Sequence, residues 1–317
     1  MVIRMDSFSD KLKSLGVQVG PKNLVSNEAI SHSFPIQKVI SGREDTTVFG
    51  NTFILEKHTS SEDRQGRVHF QLRPDFSTLA AWRKYPGLID IPLNRILFLD
   101  TETSGLSGGT GTFAFMIGLG YIDDQGFHLF QLFLRHPAEE MALLASLARL
   151  IEGFDVIVTF NGASFDIPLM NARHIMNAVQ SPFANCLHID LLPLARRLWK
   201  NRLASRRLGN LEIEILHLRR TQEEVPGWMV PEIYYDYLIS GDARPLAGVF
   251  YHNEMDIRSL GALFLYIADL LTKPLAYVAD EGLDLIAIGR LFEELGQPKQ
   301  ALELYDAGIQ AGLPVEF

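Results

Sequence analysis

The chain has 317 residues, and 47% of them are hydrophobic, which excludes a wholly disordered protein. This length predicts two domains, or one large domain with an appendage. With 29 basic and 38 acidic residues the net charge is −9, so a protein that coats nucleic acid through overall positive charge is also excluded. Any contact with nucleic acid should therefore come from a local basic patch.

Location and stabilisation are constrained by three further observations. No apolar run approaches the ~18–20 residues of a membrane span, so no membrane association is expected. The first 20 residues lack the apolar core of a secretory signal. The single cysteine, Cys186, excludes a disulfide framework and a cysteine-rich zinc site. A cytoplasmic protein is the simplest interpretation.

The N-terminal third divides into two predicted segments. Residues 1–45 are polar and weakly periodic, and we expect them to be poorly ordered. Residues 46–94 contain strand-like patterns at 48–55 and 68–70, and we expect a β-rich extension there.

Residues 95–272 are predicted to form the main domain. The predicted strands are residues 96–99, 114–122, 127–134, 156–160 and 187–189, and the predicted helices are residues 138–151, 191–199 and 245–271. Three hairpin-connected strands followed by alternating helices and strands indicate an α/β fold, a mixed sheet with helices packed on it. Lys273 and Pro274 should end the long helix, and residues 281–317 should form a separate helical hairpin.

Four carboxylates stand where strands or helices would present them to a common site. Asp100 ends the first predicted strand and Glu102 follows two residues later, so both can face the same side of an extended chain. Asp166 follows a buried strand, and Asp256 lies in the long helix. Clustered carboxylates repel one another, and Mg²⁺ or Mn²⁺ relieves that repulsion because hard cations prefer oxygen ligands. Two such ions ~3.5–4 Å apart are typical of phosphodiester hydrolysis.

Three other residues are assigned either a catalytic role or a structural one. His252 lies four residues before Asp256, on the same helix face, and is the candidate base. Asp190 is interpreted as the N-cap of the helix that follows it, and Asp155 as a residue that opens a strand.

Three segments, taken in order, resemble the motifs of the DEDD superfamily, the ribonuclease H-like 3′–5′ exonucleases. They are residues 98–106 (FLDTETSGL), 161–166 (NGASFD) and 252–256 (HNEMD). The glycine-rich run at 108–112 and the segment 195–199 (ARRLW) are similar to the bacterial YprB-type ribonuclease H-like family. The resemblance covers roughly residues 95–271.

The resemblance implies a five-stranded mixed sheet with flanking helices and a metal-dependent exonuclease site. Asp100 would bridge two metal ions, Glu102 and Asp256 would hold the first, and Asp166 would act directly or through water. The superfamily places a His five residues, or a Tyr four residues, before the last Asp. This chain has Tyr251 at the His spacing and His252 at the Tyr spacing. His252 is preferred as the residue that orients or deprotonates the nucleophile, and Tyr251 is the alternative.

Substrate contacts are expected from two groups of residues. Those that flank the acids in the motifs are Thr101, Thr103, Gly105, Leu106, Asn161 and Phe165. Those of the basic segment 196–207, predicted to contact phosphates or else to form a solvated helix face, include Arg196, Arg197, Lys200, Arg206 and Arg207. Trp199, in the same segment, either stacks on a base or belongs to the core.

The C-terminal hairpin resembles one tetratricopeptide repeat. The residues that fit are Leu285, Ile288, Gly289, Phe292, Ala301, Tyr305 and Gly308. One repeat cannot bury its own apolar face, so the hairpin should dock on the main domain, pair with another chain or begin a longer array. Its expected role is the binding of a protein partner.

The sequence thus favours a nuclease that hydrolyses nucleic acid from a single-stranded 3′ end with two Mg²⁺ or Mn²⁺ ions. Two alternatives remain at this point: a binding scaffold with the same fold and little or no turnover, and a structure-specific endonuclease. No base-reading motif separates DNA from RNA.

Overall fold

The computed structural model describes residues 34–105, 111–220 and 225–312. Its strands are β1 (Arg43–Thr47), β2 (Gly50–Ser60), β3 (Arg64–Gln65), β4 (Val68–His69), β5 (Ile96–Thr103), β6 (Ala114–Ile122), β7 (Gly126–Phe133), β8 (Val156–Thr159) and β9 (Leu187–Asp190). Its helices are α1 (Ile36–Val39), α2 (Ser77–Arg83), α3 (Glu140–Ile151), α4 (Asp166–Met176), α5 (Leu191–Trp199), α6 (Leu208–Glu214), α7 (Val230–Ser240), α8 (Leu246–Thr272), α9 (Pro274–Val278), α10 (Gly282–Glu294) and α11 (Pro298–Gln310). Short 3₁₀ turns lie at Pro86–Asp90, Leu93–Arg95, Pro137–Glu139, Pro182–Asn185 and Gly227–Met229.

One mixed sheet forms the centre of the fold. In the described ranges its strand order is β1-β2-β7-β6-β5-β8-β9, with β5, β8 and β9 parallel and the other neighbours antiparallel. Helices flank this sheet, so the predicted α/β class, a mixed sheet with helices packed on it, is confirmed.

The described sheet contains seven strands, two more than the five expected of the main domain. The strands β5 to β9 are the predicted five, and β1 and β2 continue the same sheet beyond β7. Phe53, Ile54 and Leu55 of β2 are buried, so this hairpin covers what would otherwise be an open edge of the sheet.

The N-terminal segment is described only from residue 34 onward, and residues 1–33 lie outside the described part. Both α1 and the start of β1 fall within residues 34–45, where poor order was expected. The strand β1 pairs with β2 in a hairpin. This hairpin joins the sheet because β2 pairs with β7, a long-range contact that local polarity does not reveal. The division of the chain into domains stays a prediction.

The long helix α8 is the main packing partner of the sheet. Its buried face lies against β5, β6 and β7, and Phe264 contacts the ring of Phe98 from β5. The helix ends at Thr272 and α9 begins at Pro274, as the Lys-Pro pair predicts. Among the described helices, none combines the length and the apolar character needed to cross a bilayer.

The C-terminal helices α10 and α11 pack on each other, and α10 packs on α5 of the main domain. Leu285 and Ile288 of α10 are completely buried. The side chain of Asp284, also in α10, is buried against Arg202, with which it forms an ion pair at 2.8 Å. The hairpin therefore docks on the main domain, the first of its three expected arrangements. Residues 313–317 lie outside the described part.

Candidate active site

The first two carboxylates lie on β5, which runs beyond Asp100 to Thr103. Asp100 pairs with Gly118 of β6, and Glu102 pairs with Met116, so both acids occupy regular ladder positions two residues apart. The register shifts immediately after Glu102. Such an irregularity at a strand end is common beside functional sites, where it re-aims the following side chains.

Asp166 is the first residue of α4 and is brought to the same strand. The Thr101 hydroxyl donates a hydrogen bond to Asp166 Oδ1 at 2.5 Å, which joins two segments that are 65 residues apart in sequence. Thr101, expected to contact substrate, thus holds a neighbouring carboxylate in this structure. Phe165, the residue before Asp166, is 56% exposed and available to a ligand.

The loop before Asp166 is fixed by Asp190. This side chain accepts hydrogen bonds from the backbone N–H of Leu192, which makes it the predicted N-cap of α5. It also accepts from the N–H groups of Asn161 and Ala163, at 2.8 and 3.1 Å. Asn161 adopts a left-handed φ of 68°, which Asn tolerates better than most residues. Asp190 therefore also shapes the loop that carries Asn161 and leads to Asp166, a role that its spacing in the sequence does not reveal.

Asp256 and His252 lie one turn apart on α8, on the same face. His252 Nε2 is 3.5 Å from Asp256 Oδ2, and both side chains are less than one-fifth exposed. Tyr251 is one position earlier, about 100° around the helix. Of the two candidate bases, His252 is the one that the structure places beside Asp256.

Asp256 has a second partner that sequence reasoning missed. The guanidinium of Arg220 donates to Asp256 Oδ1 and also to both carboxylate oxygens of Glu212, at 2.8 and 2.7 Å. The Glu212 side chain is only 3% exposed and that of Arg220 9% exposed. Glu212 lies between Leu211 and Ile213 in an apolar stretch of the sequence, and an acid in such a stretch is the signal that could have indicated an internal cation.

The carboxylates are close enough to change one another's ionisation. Burial, followed by the charges of Asp166, Asp256 and Glu102, raises the pKa of Asp100 well above its usual value. Burial also raises the pKa of Glu102 to about 7, although the charge of His252 opposes this. The pKa of Asp166 is raised by burial, against the hydrogen bond from Thr101. Such crowding of like charges in a partly buried site is typical of functional carboxylates.

The chemistry of this donor set fits a hard divalent cation, because it consists of carboxylate oxygens contributed by three separate elements. Nevertheless, within residues 34–105, 111–220 and 225–312 no three His, Cys, Asp or Glu side chains are already arranged to hold a metal ion. Arg220 occupies one oxygen of Asp256, and Thr101 occupies one oxygen of Asp166. Binding of a metal would therefore require these side chains to adjust.

The basic segment 196–207 is divided between two environments. Arg197 pairs with Glu294 of the C-terminal hairpin at 2.5 Å, and Arg206 donates to the backbone oxygens of Leu203 and Ala204. These two side chains have partners within the chain, in the docked hairpin and in a local turn, and their predicted contact with phosphate stays a prediction. The exposed basic side chains of the segment are Arg196, Lys200 and Arg207.

The remaining predicted residues have local roles or lie outside the described part. Trp199 is 1% exposed, so it belongs to the core and does not stack on a base. The Thr103 hydroxyl donates to the Gly105 carbonyl at 2.9 Å, in the turn after β5. Leu106 lies outside the described residues, as does most of the glycine-rich run.

Comparison with known proteins agrees with the fold. The chain belongs to the ribonuclease H superfamily, since the family described as RNase_H superfamily matches residues 97–268. More specifically, the chain is 32% identical over 218 residues to "Uncharacterized protein YprB" of Bacillus subtilis (strain 168), a match that covers 68% of this chain and 52% of the relative. The chain thus spans about half the length of this curated relative. The resemblance to YprB-type ribonuclease H-like proteins is confirmed.

Among solved structures, the chain is similar to the family B DNA polymerase from the hyperthermophilic archaeon Pyrobaculum calidifontis. The TM-score is 0.41 at 16% sequence identity, over 67% of this chain and 30% of the polymerase.

Proposed function

We propose that this protein is a metal-dependent nuclease that hydrolyses phosphodiester bonds from a 3′ end. The observation that carries the proposal is the meeting of three distant segments at the end of β5. Thr101 contacts Asp166, and Asn253 of α8 contacts Asp100 at 3.2 Å. Membership of the ribonuclease H superfamily supports a nuclease in the broad sense.

Four carboxylates would hold two Mg²⁺ or Mn²⁺ ions in this proposal: Asp100, Glu102, Asp166 and Asp256. Divalent cations held there would supply positive charge beside the phosphate that is cleaved and would help to generate the nucleophile from water. The raised pKa of Asp100 and the pKa of about 7 for Glu102 mean that protons compete for the same oxygens when no cation is bound.

The chain's own groups bind and orient the substrate and move a proton. The imidazole of His252, held near Asp256 through Nε2, accepts the proton of the attacking water as general base. Phe165 is exposed beside Asp166 and offers a ring for stacking on a terminal base. The exposed cations Arg196, Lys200 and Arg207 are proposed to contact phosphates farther along a single strand. A protein partner at the C-terminal hairpin also remains a proposal.

Hydrolysis of 5′-labelled single-stranded DNA and RNA with Mn²⁺ or Mg²⁺ tests this function. We expect a ladder that shortens from the 3′ end, and its loss in Asp100→Ala and Asp256→Ala. A second pair of substrates with blocked 3′ ends separates an exonuclease from an endonuclease. Retained hydrolysis in either variant, with unchanged circular dichroism, would refute the assignment of the acids.

A binding scaffold with little turnover is the second candidate, and the ion pair between Arg220 and Asp256 is the observation that favours it. An Arg in contact with the last acid of the set competes with a cation for that carboxylate. Nucleic-acid binding without hydrolysis in wild type, under every metal condition, would support this candidate.

A further inference from the structure

A buried amide lies between the long helix and the first carboxylate of the site. Asn253 of α8 is completely buried, and its Nδ2 donates to Asp100 Oδ2 at 3.2 Å. Its Oδ1 accepts a hydrogen bond from Gln131 Nε2 of β7 at 3.0 Å. Both ends of the Asn253 amide therefore have a partner, one of which is Asp100.

The direction of this amide is fixed by a backbone group. Gln131 Nε2 also donates to the carbonyl oxygen of Phe250 at 2.8 Å, and a backbone carbonyl can only accept. The amide nitrogen of Gln131 must therefore face α8, so the oxygen of Asn253 must face Gln131. It follows that the donor end of Asn253 points to Asp100 and cannot reverse without breaking two hydrogen bonds.

The sheet leaves room for this amide at a single glycine. Gly118 of β6 is the ladder partner of Asp100. A Cβ atom at this position would lie 2.2 Å from Asn253 Oδ1 and 2.9 Å from Asn253 Cγ, closer than atoms can approach. Any larger residue at this position would push the Asn253 amide away from its partners. The contact with β7, the position of Asn253 on α8 and the space left by Gly118 together direct Asn253 Nδ2 to Asp100 Oδ2.

We propose that Asn253 is a positioning residue for Asp100. By holding Oδ2, it fixes the rotation of the carboxylate and leaves Oδ1 directed to a cation, in the way that outer hydrogen bonds orient metal-binding carboxylates. This inference rests on the proposed function, in which Asp100 binds metal. A merely structural buried Asn would stabilise the fold without affecting the affinity for a cation.

Mn²⁺ affinity of the full chain, measured by electron paramagnetic resonance without nucleic acid, distinguishes these roles. Asn253→Leu keeps a similar volume but removes the donor, and we expect its Mn²⁺ affinity to fall by roughly tenfold or more. Gly118→Ala displaces the amide without changing Asn253, and it should weaken Mn²⁺ binding in the same direction. Asn253→Ala provides a smaller replacement if the leucine prevents folding.

Gln65→Leu is the matched control. Gln65 is also a buried amide, and it donates to Ser259 Oγ of the same helix at 3.0 Å. Removal of the Gln65 amide should lower the thermal midpoint of unfolding. The Mn²⁺ affinity should stay within about twofold of wild type, because the hydrogen bond that is lost joins Gln65 to Ser259 and not to one of the acids. Wild-type affinity in the Asn253 variants, or an equal loss in Gln65→Leu, would overturn the positioning role alone. Absence of Mn²⁺ binding in wild type would overturn the metal site as well.

Discussion

At the scale of single residues, the two oxygens of Asp256 face different partners. Oδ1 accepts from Arg220, and Oδ2 faces His252 Nε2 at 3.5 Å. Arg220 is in turn held by the buried Glu212, whose charge would otherwise lie in the interior without compensation. Arg220 thus neutralises a buried carboxylate of the fold and also adds a positive charge beside the last acid of the site.

Arg220→Gln should destabilise the protein by about 3 kcal/mol or more, because it leaves the buried Glu212 without its cation. Urea denaturation followed by circular dichroism measures this change. Arg95→Gln removes an exposed ion pair with Asp155 and serves as the control, with an almost unchanged urea midpoint. Equal midpoints for the two variants would show that the buried ion pair stabilises the protein no more than the exposed one.

Sequence patterns single out the four candidate acids but not the side chains that contact them. Asp100, Glu102, Asp166 and Asp256 stand in short motifs, so local spacing reveals them. The contacts of Arg220 with Glu212 and of Asn253 with Gln131 depend on how α6, α8 and β7 meet in space. No local pattern contains that information.

At the scale of elements, a single side chain links the start of α5 to the loop before α4. Asp190 caps α5 and also accepts two hydrogen bonds from the loop that leads to Asp166. The placement of Asp166 therefore depends on a residue that is not expected to touch metal or substrate.

Asp190→Ala should cost about 1–2 kcal/mol of stability through the lost cap. It should also reduce nuclease activity by roughly tenfold or more, because small displacements of catalytic groups have large effects on rate. Asp75→Ala is the control, since Asp75 accepts from the N–H of Ser77 at the start of α2, away from the site. If both variants lose stability alike and neither loses activity, the loop does not need Asp190 to place Asp166.

Helix and strand positions within the main domain were largely predictable, because their apolar periodicity is strong. The predicted helix 191–199 and strand 114–122 have the same bounds in the structure. The addition of β1 and β2 to the sheet was not predictable, since the pairing of β2 with β7 joins residues 66 to 80 positions apart and leaves no trace in local periodicity.

At the scale of the whole molecule, the acidic hairpin and the basic segment meet within one chain. Arg197 and Arg202 of the basic segment form ion pairs with Glu294 and Asp284 of the hairpin. The sequence left two interpretations of this segment, a phosphate-contacting patch and a solvated helix face, and the structure shows that ion pairs with the hairpin neutralise part of its charge.

A chain that ends at residue 280 should unfold at a thermal midpoint more than about 5 °C lower than the full chain, because α5 loses the apolar face of α10. Differential scanning calorimetry measures this change. Leu302→Ser, at a position that is 61% exposed on α11, is the control and should leave the midpoint unchanged. An unchanged midpoint in the shortened chain would mean that the hairpin adds nothing to the stability of the main domain.

The most direct test of the metal site is a crystal structure of the protein with Mn²⁺, with anomalous diffraction used to locate the ion. The proposed function predicts anomalous density beside Asp100, Glu102 and Asp256, with Arg220 displaced from Asp256 or sharing it, and no such density in Asp100→Ala. The proposed function would be contradicted if wild-type crystals, at metal concentrations that saturate related sites, show no Mn²⁺ at these carboxylates and Arg220 still bound to Asp256.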